Sequence, residues 1–135
     1  MTERKSGIIF NITSVGGLKY LFNVAYGVGK SALDRMTQDT ALELKEHNVA
    51  VVGIRPGAVK TEAMKAMMAK AGGEKAVALF GKGETTDFAG KAIVHLVAGE
   101  PDMIKRTGTV LQTKELAHEF KFTEDDGTSP YPLTS

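Results

Sequence analysis

Ser14, Tyr26 and Lys30 bring a hydroxyl, a phenol and an ammonium into one short stretch of the chain. Tyr26 and Lys30 are four positions apart where the sequence takes on helical spacing, so both side chains project from one helix face. A phenol gives up its proton more readily beside an ammonium, which is the physical case for pairing Lys30 with Tyr26. The Ser14 hydroxyl can hold a carbonyl or alcohol oxygen by hydrogen bond while Tyr26 gives or takes the proton as that oxygen changes charge. Such a set serves carbonyl/alcohol redox chemistry. Taken alone, a Tyr-x-x-x-Lys pair is as readily a solvated pair on a helix surface.

The elements that must position these groups are read from apolar periodicity. Residues 7–12, Gly-Ile-Ile-Phe-Asn-Ile, are apolar on both alternating faces, as expected of a central parallel strand covered by helices on both sides. Ser14 then sits at the C-terminal end of that strand, where open α/β sheets bind ligands. From Ala25 to His47 the pattern turns helical, with Val28, Ala32, Leu33, Met36, Ala41 and Leu44 forming the expected inward stripe and His47-Asn48 the stop. Gly27 and Gly29 in its first turn cost roughly 1 kcal/mol each relative to alanine, in exchange for close approach of a ligand or of the neighbouring strand. Residues 49–54 form a second continuously apolar strand, broken by Arg55-Pro56-Gly57. A helix between two parallel strands makes a right-handed crossover the natural connection.

Residues 62–83 are rich in Met, Ala, Lys and Gly, and Met64, Met67 and Met68 suit a pliable pocket wall or plain helix packing equally. Thr85-Thr86-Asp87 offers an N-cap for a helix through Phe88, Ala92, Ile93, Leu96 and Val97, with Gly99 and Pro101 ending it. His95 is expected to pack within it. A third short strand is expected over 107–112. From about Ala117 the chain turns polar, with Glu124-Asp125-Asp126-Gly127 and two later prolines, and reads as a poorly ordered tail. The expected division is a folded unit over 1–116 and a tail over 117–135.

Composition narrows the function classes. A chain of 135 residues with 42% hydrophobic and 24% charged residues is globular in type, and a net charge of +1 gives no basic stripe for nucleic acid or anionic membrane. No cysteine is present, which removes disulfides and thiolate chemistry. His47, His95 and His118 lack metal-binding spacing, so no metal is expected. The Asn11-Ile-Thr13 sequon falls in an apolar strand and is not expected to be used. No apolar run approaches a bilayer span and the start lacks the apolar core of a signal peptide, so the chain reads as soluble, with the cytoplasm as its expected location.

Three linked motifs are more specific than any of these signals: Asn-Ile-Thr-Ser-Val-Gly-Gly ending one apolar run, Tyr-Gly-Val-Gly-Lys opening a helix, and Arg-Pro-Gly-Ala-Val-Lys-Thr ending the next run. In residue type, order and spacing they resemble the short-chain dehydrogenase/reductase family, and the resemblance covers nearly the whole chain. It implies an α/β fold, the C-terminal half of a Rossmann-type doubly wound parallel sheet of about three strands with flanking helices. It implies NAD(P)H as cofactor and a small-molecule carbonyl or alcohol as substrate. Tyr26 would be the acid/base, Lys30 would ease loss of the Tyr26 proton and bind the nicotinamide ribose, and Ser14 would orient the reacting oxygen. Pro56, Gly57, Val59 and Thr61 would line the nicotinamide carboxamide, and residues 62–83 would form a lid over the substrate. Relatives commonly dimerise through the helix that carries Tyr and Lys, so a homo-oligomer through the Tyr26/Lys30 helix is expected. Gly29 departs from the Ser or Ala that most relatives carry before the lysine.

The family's glycine-rich phosphate turn, its Asn-Ala-Gly, its catalytic asparagine and the residue that separates NAD from NADP have no counterpart here. The chain is therefore expected to be a fragment, or a truncated product that must associate to be stable, because three parallel strands make a poor sheet alone. The competing expectation is a non-catalytic half that acts as a dimerisation or interaction module.

Overall fold

Valine and isoleucine fill the middle of the sheet because branched side chains pack well on a pleated surface covered on both faces. The computed structural model describes residues 1–71, 78 and 81–131. Its elements run β1 (Gly7–Ile12), α1 (Val24–Leu44), β2 (Val49–Arg55), α2 (Glu62–Ala71), α3 (Thr86–Gly99), β3 (Val110–Gln112) and α4 (Thr113–Phe120), with short 3-10 turns at Val15–Gly17, Lys45–His47 and Met103–Arg106. The strands form one parallel sheet in the order β1-β2-β3, with Gly7 opposite Val49, Ile12 opposite Ile54, and Arg55 opposite Gln112. This is the three-stranded parallel sheet with flanking helices that the sequence predicts.

Residues of β2 alternate between two helical layers. Ala50, Val52 and Ile54 join Phe88, Ala92 and Leu96 of α3 and Leu116 and Ala117 of α4 in one buried cluster. Burying a Phe, Leu or Ile side chain of this kind contributes about 1.5–3 kcal/mol, so this layer anchors the fold. On the other face, α1 lies against the sheet through Thr37 and Ala41. Asn48, at φ 54°, takes the left-handed conformation that Asn tolerates and turns the chain from the helix into β2.

Three expectations are corrected. First, β1 is half-buried rather than covered, because it is an edge strand whose outer side has no partner among the described residues. Second, half of the expected stripe of α1 faces inward: Leu33, Ala41 and Leu44 do, whereas Val28, Ala32 and Met36 are exposed and the polar Asp34 and Thr37 turn inward beside the others. Polar residues occupy that face because the sheet offers them partners. The Asn11 amide donates to Thr37 Oγ1 at 2.9 Å, and Thr13 and Arg55 both donate to Asp34.

Third, the polar tail is packed. The boundary expected at 116 and 117 falls inside α4, and Phe122 joins the buried cluster, its ring centroid 5.0 Å from that of Phe88 and stacked 4.8 Å from the ring of His95. Glu124 is buried too. Its carboxylate accepts from Thr85 N–H at 2.8 Å and from the Thr85 hydroxyl at 2.6 Å, so Glu124 rather than Thr85 caps the start of α3. Two aromatic anchors, Phe122 and Tyr131, outweigh the charged residues between them. The expected lid over 62–83 is described for α2, whereas residues 72–77, 79 and 80 lie outside the described residues, as do 132–135 of the tail.

Candidate active site

Thr13 N–H donates to Ile54 O at 2.8 Å, which carries the β1–β2 pairing one residue past the strand and delivers Ser14 to the C-terminal edge of the sheet. Ser14 is extended and opens the Val15–Gly17 turn, its Oγ accepting from Gly16 N–H at 3.1 Å. Pro56 and Gly57 leave the neighbouring strand at the same edge.

Local chemistry aims Tyr26 at this point. Phe22 has φ 63°, a left-handed conformation that costs a non-glycine residue on the order of 1 kcal/mol or more. The bend brings Asn23 into the N-cap position, where its side-chain oxygen accepts from Tyr26 N–H at 2.9 Å. It also stands the Phe22 ring edge-on to the Tyr26 ring, centroids 5.0 Å apart. Tyr26 Oη then donates to Ser14 Oγ at 2.9 Å. Ser14 Oγ now accepts from both Gly16 and Tyr26, and its own proton has no acceptor among the described residues. That proton is left to meet an incoming oxygen.

Lys30, one turn further along α1, donates from Nζ to Ile12 O at 3.0 Å, and the ammonium lies 5.9 Å from the centre of the Tyr26 ring. The three side chains are thus brought together, with the cation beside the phenol and not hydrogen-bonded to its oxygen. At about 6 Å the attraction of a cation for a ring face is at its outer limit.

The segment after β2 is held differently. Gly57 N–H donates to Glu84 Oε1 at 3.0 Å, Val59 forms an isolated parallel bridge with Glu84, and the Thr61 hydroxyl accepts from Met64 N–H at 3.2 Å at the start of α2. Val59 and Thr61 are half-buried and Gly57 is exposed. A parallel bridge uses the carbonyl and N–H of the residues flanking Val59, here Ala58 O and Lys60 N, so the N–H of Val59 itself faces away from Glu84.

Two positioning groups escape sequence reasoning. Asp34 and Arg55 form an ion pair at 2.7 Å with side chains only 14% and 13% exposed, and Thr13 donates to the same carboxylate. This pair ties α1 one turn past Lys30 to the strand ends beside Ser14 and Pro56. Its only sequence signal was an Asp four residues after Lys30, which reads as an exposed helix charge. Glu84 is fully buried beneath Gly57 and lies in no motif. Among the described residues, no group of acidic or histidine side chains could hold a metal ion, and no helix is long and apolar enough to cross a membrane.

With this geometry in place, likeness to known proteins becomes informative. Residues 1–72 match the family model described as short chain dehydrogenase. The chain is 39% identical over 136 aligned positions to human dehydrogenase/reductase SDR family member 1, the match covering 94% of this chain and 42% of the human protein. Among solved structures it is similar to ElxO with NADP bound, at TM-score 0.69 and 25% identity over 84% of this chain and 47% of that one. It is also similar to 7α-hydroxysteroid dehydrogenase complexed with NADH and 7-oxo glycochenodeoxycholic acid, at TM-score 0.68 and 25% identity over 83% and 44%. The chain spans less than half the length of these relatives. A family model matching more than half of the residues, on a parallel α/β sheet that sets Ser14, Tyr26 and Lys30 around one strand end, places the chain in the short-chain dehydrogenase family.

Proposed function

We propose that the protein carrying this chain is an NAD(P)-dependent oxidoreductase that interconverts a small-molecule carbonyl and alcohol, with Tyr26 as its acid/base. The observation that carries this reading is the 2.9 Å contact between Tyr26 Oη and Ser14 Oγ at the C-terminal edge of the sheet, with Lys30 one helical turn away. A bound nicotinamide would supply the hydride added to the carbonyl carbon in reduction and accept the one removed from the carbinol carbon in oxidation. Ser14 donates a hydrogen bond to the substrate oxygen, keeping its own proton, and fixes that oxygen beside Tyr26, whose hydroxyl turns from Ser14 to it. In reduction Tyr26 delivers its proton as charge builds on that oxygen, and the half-buried ring regains one from solvent. The Lys30 ammonium stands 5.9 Å from the centre of the Tyr26 ring, held by Ile12 O.

The residues present fit such a cofactor. The Val59 N–H faces away from its bridge partner and the Thr61 hydroxyl, which accepts from Met64 N–H, lies two residues on, a donor set suited to a carboxamide, and the Lys30 ammonium suits a ribose hydroxyl. Gly57 differs, since its N–H is taken by Glu84, and its part is to shape the backbone. The replacement Tyr26→Phe should lower turnover at least about hundredfold, the lower range for a positioned acid/base, with an unchanged melting curve. Retained turnover would refute the assignment.

A second reading, a half-protein that serves as an interaction module, draws on the outer face of α1. There Val24, Val28 and Leu42 are 71%, 62% and 75% exposed, and an open groove of about 650 Å³ runs between Gly16–Tyr20 and Val24–Ala32. The same face would serve the expected homo-oligomer. Binding of nicotinamide by this chain alone supports the enzyme reading, while recovery only in company with a longer partner supports the module.

A further inference from the structure

Glu84 is the one large charged side chain buried completely among the described residues, and it sits outside the catalytic set. A buried carboxylate is unfavourable unless donors surround it. Here three converge on a single oxygen. Glu84 Oε1 accepts from Gly57 N–H at 3.0 Å, from Tyr131 Oη at 2.5 Å and from the Thr113 hydroxyl. Its other oxygen, Oε2, is buried with no partner among the described residues. The backbone of Glu84 grips the same loop, donating to Ala58 O at 2.7 Å and accepting from Lys60 N–H at 2.9 Å. One residue therefore fixes the Gly57–Lys60 backbone through both its main chain and its side chain.

Tyr131 closes the arrangement from the far end of the sequence. Its hydroxyl lies where a side chain at Gly57 would begin, since a Cβ built there would stand 1.9 Å from Oη. Burial and then the Glu84 carboxylate push the Tyr131 phenol well above its ordinary range, so it remains a donor. Its ring is packed 6.0 Å from that of Phe88, and His118 Nε2 lies 3.0 Å from its carbonyl. Glu124 clasps Thr85, the residue after Glu84, from the same segment. A role as plain packing glue would be met as well by an apolar residue of similar volume, which would avoid the cost of burying a charge.

We propose that Glu84 and Tyr131 are positioning residues that hold the Gly57–Lys60 backbone in the conformation that presents Val59 N–H to the nicotinamide carboxamide, so that the C-terminal segment is part of the cofactor site. The cofactor half of this statement rests on the function proposed above. The backbone half does not.

The test uses the protein that carries this chain, with Tyr131→Phe, Glu84→Gln and Glu84→Leu. Three quantities are measured: amide hydrogen exchange over residues 56–61, the dissociation constant for NADH and NADPH, and the melting temperature. Tyr131→Phe keeps the ring on Phe88 and should speed exchange at 57–60 and weaken binding about threefold to tenfold, with kcat at saturating cofactor changed less than about twofold. Glu84→Leu should weaken binding further, and Glu84→Gln, whose amide oxygen still accepts from Gly57, should recover most of the loss. If Glu84→Leu does not fold, Tyr131→Phe decides. Unchanged exchange and unchanged dissociation constants in Tyr131→Phe would overturn the proposal, as would a lower melting temperature with binding intact. A wild-type protein that binds neither nucleotide overturns the enzyme reading and the cofactor half. Exchange at 57–60 then still decides whether these residues hold the loop.

Discussion

At Gly16 the space for a side chain is already filled by the Tyr26 ring. A Cβ built there would stand 2.5 Å and 2.9 Å from two ring carbons and 3.5 Å from Ser14 Oγ. The ring cannot yield freely, because Phe22 stands against it. Gly16→Ala should therefore push Tyr26 Oη out of reach of Ser14. A misplacement of about 1 Å in a reacting group costs on the order of a hundredfold in rate. Steady-state rates and a thermal melt on the same protein check this: a large fall in kcat with a melting temperature within a few degrees of wild type is the expected outcome. Full activity in Gly16→Ala would mean that the contact between Ser14 and Tyr26 is incidental. The Tyr-x-x-x-Lys spacing and the position of Ser14 past an apolar run were legible in the sequence, because both depend on local periodicity. The left-handed Phe22 was not, since nothing local asks a phenylalanine to adopt it.

Among elements, the register of α1 on the sheet rests on polar contacts as much as on apolar ones. The Asp34–Arg55 pair is almost buried, and Arg55 Nε has no partner among the described residues. Removing the carboxylate charge would leave a guanidinium buried and uncompensated. Asp34→Asn should cost about 3–5 kcal/mol, read as a lower urea midpoint at unchanged slope. The replacement of both residues by apolar ones of similar size should cost less than the single change. If Asp34→Asn unfolds at the wild-type midpoint, the pair is not what registers the helix. An apolar stripe was the natural sequence expectation for α1; Leu33, Ala41 and Leu44 of it turn inward, but Val28, Ala32 and Met36 do not. Periodicity locates a helix but ranks faces by hydrophobicity alone, whereas Asn11, Thr13 and Arg55 reward polar residues on the sheet side.

At the scale of the whole molecule, β1 is an edge strand with no outer partner among the described residues, and Val24, Val28, Met36 and Leu42 are exposed on α1. An unpaired strand edge favours association, and the exposed apolar residues at the two ends of α1, with the Arg35–Asp39 pair between them, add to it. The 135-residue chain expressed alone should therefore sediment as oligomers whose size grows with concentration. A monomer with one cooperative unfolding transition would show that the described sheet is sufficient in itself. Packing of the C-terminal segment works in favour of that monomer, since Phe122 and Tyr131 extend the core around Phe88.

The sequence by itself determined the order of β1, α1, β2, α3 and β3, the parallel class of the sheet and the meeting of Ser14, Tyr26 and Lys30 at its C-terminal edge, but not α4, part of which it read as polar tail. Each of these follows from local runs: apolar strands too hydrophobic for one-sided burial, a helical stretch between them, and a Pro-Gly break where β2 must end. Only the tertiary structure decided which groups hold that edge in shape. Glu84, Thr113 and Tyr131 meet from three distant segments, as do Thr13, Asp34 and Arg55, and no spacing along the chain encodes such meetings. Their partners are chosen by burial, because a carboxylate withdrawn from water takes whatever donors the fold brings to it.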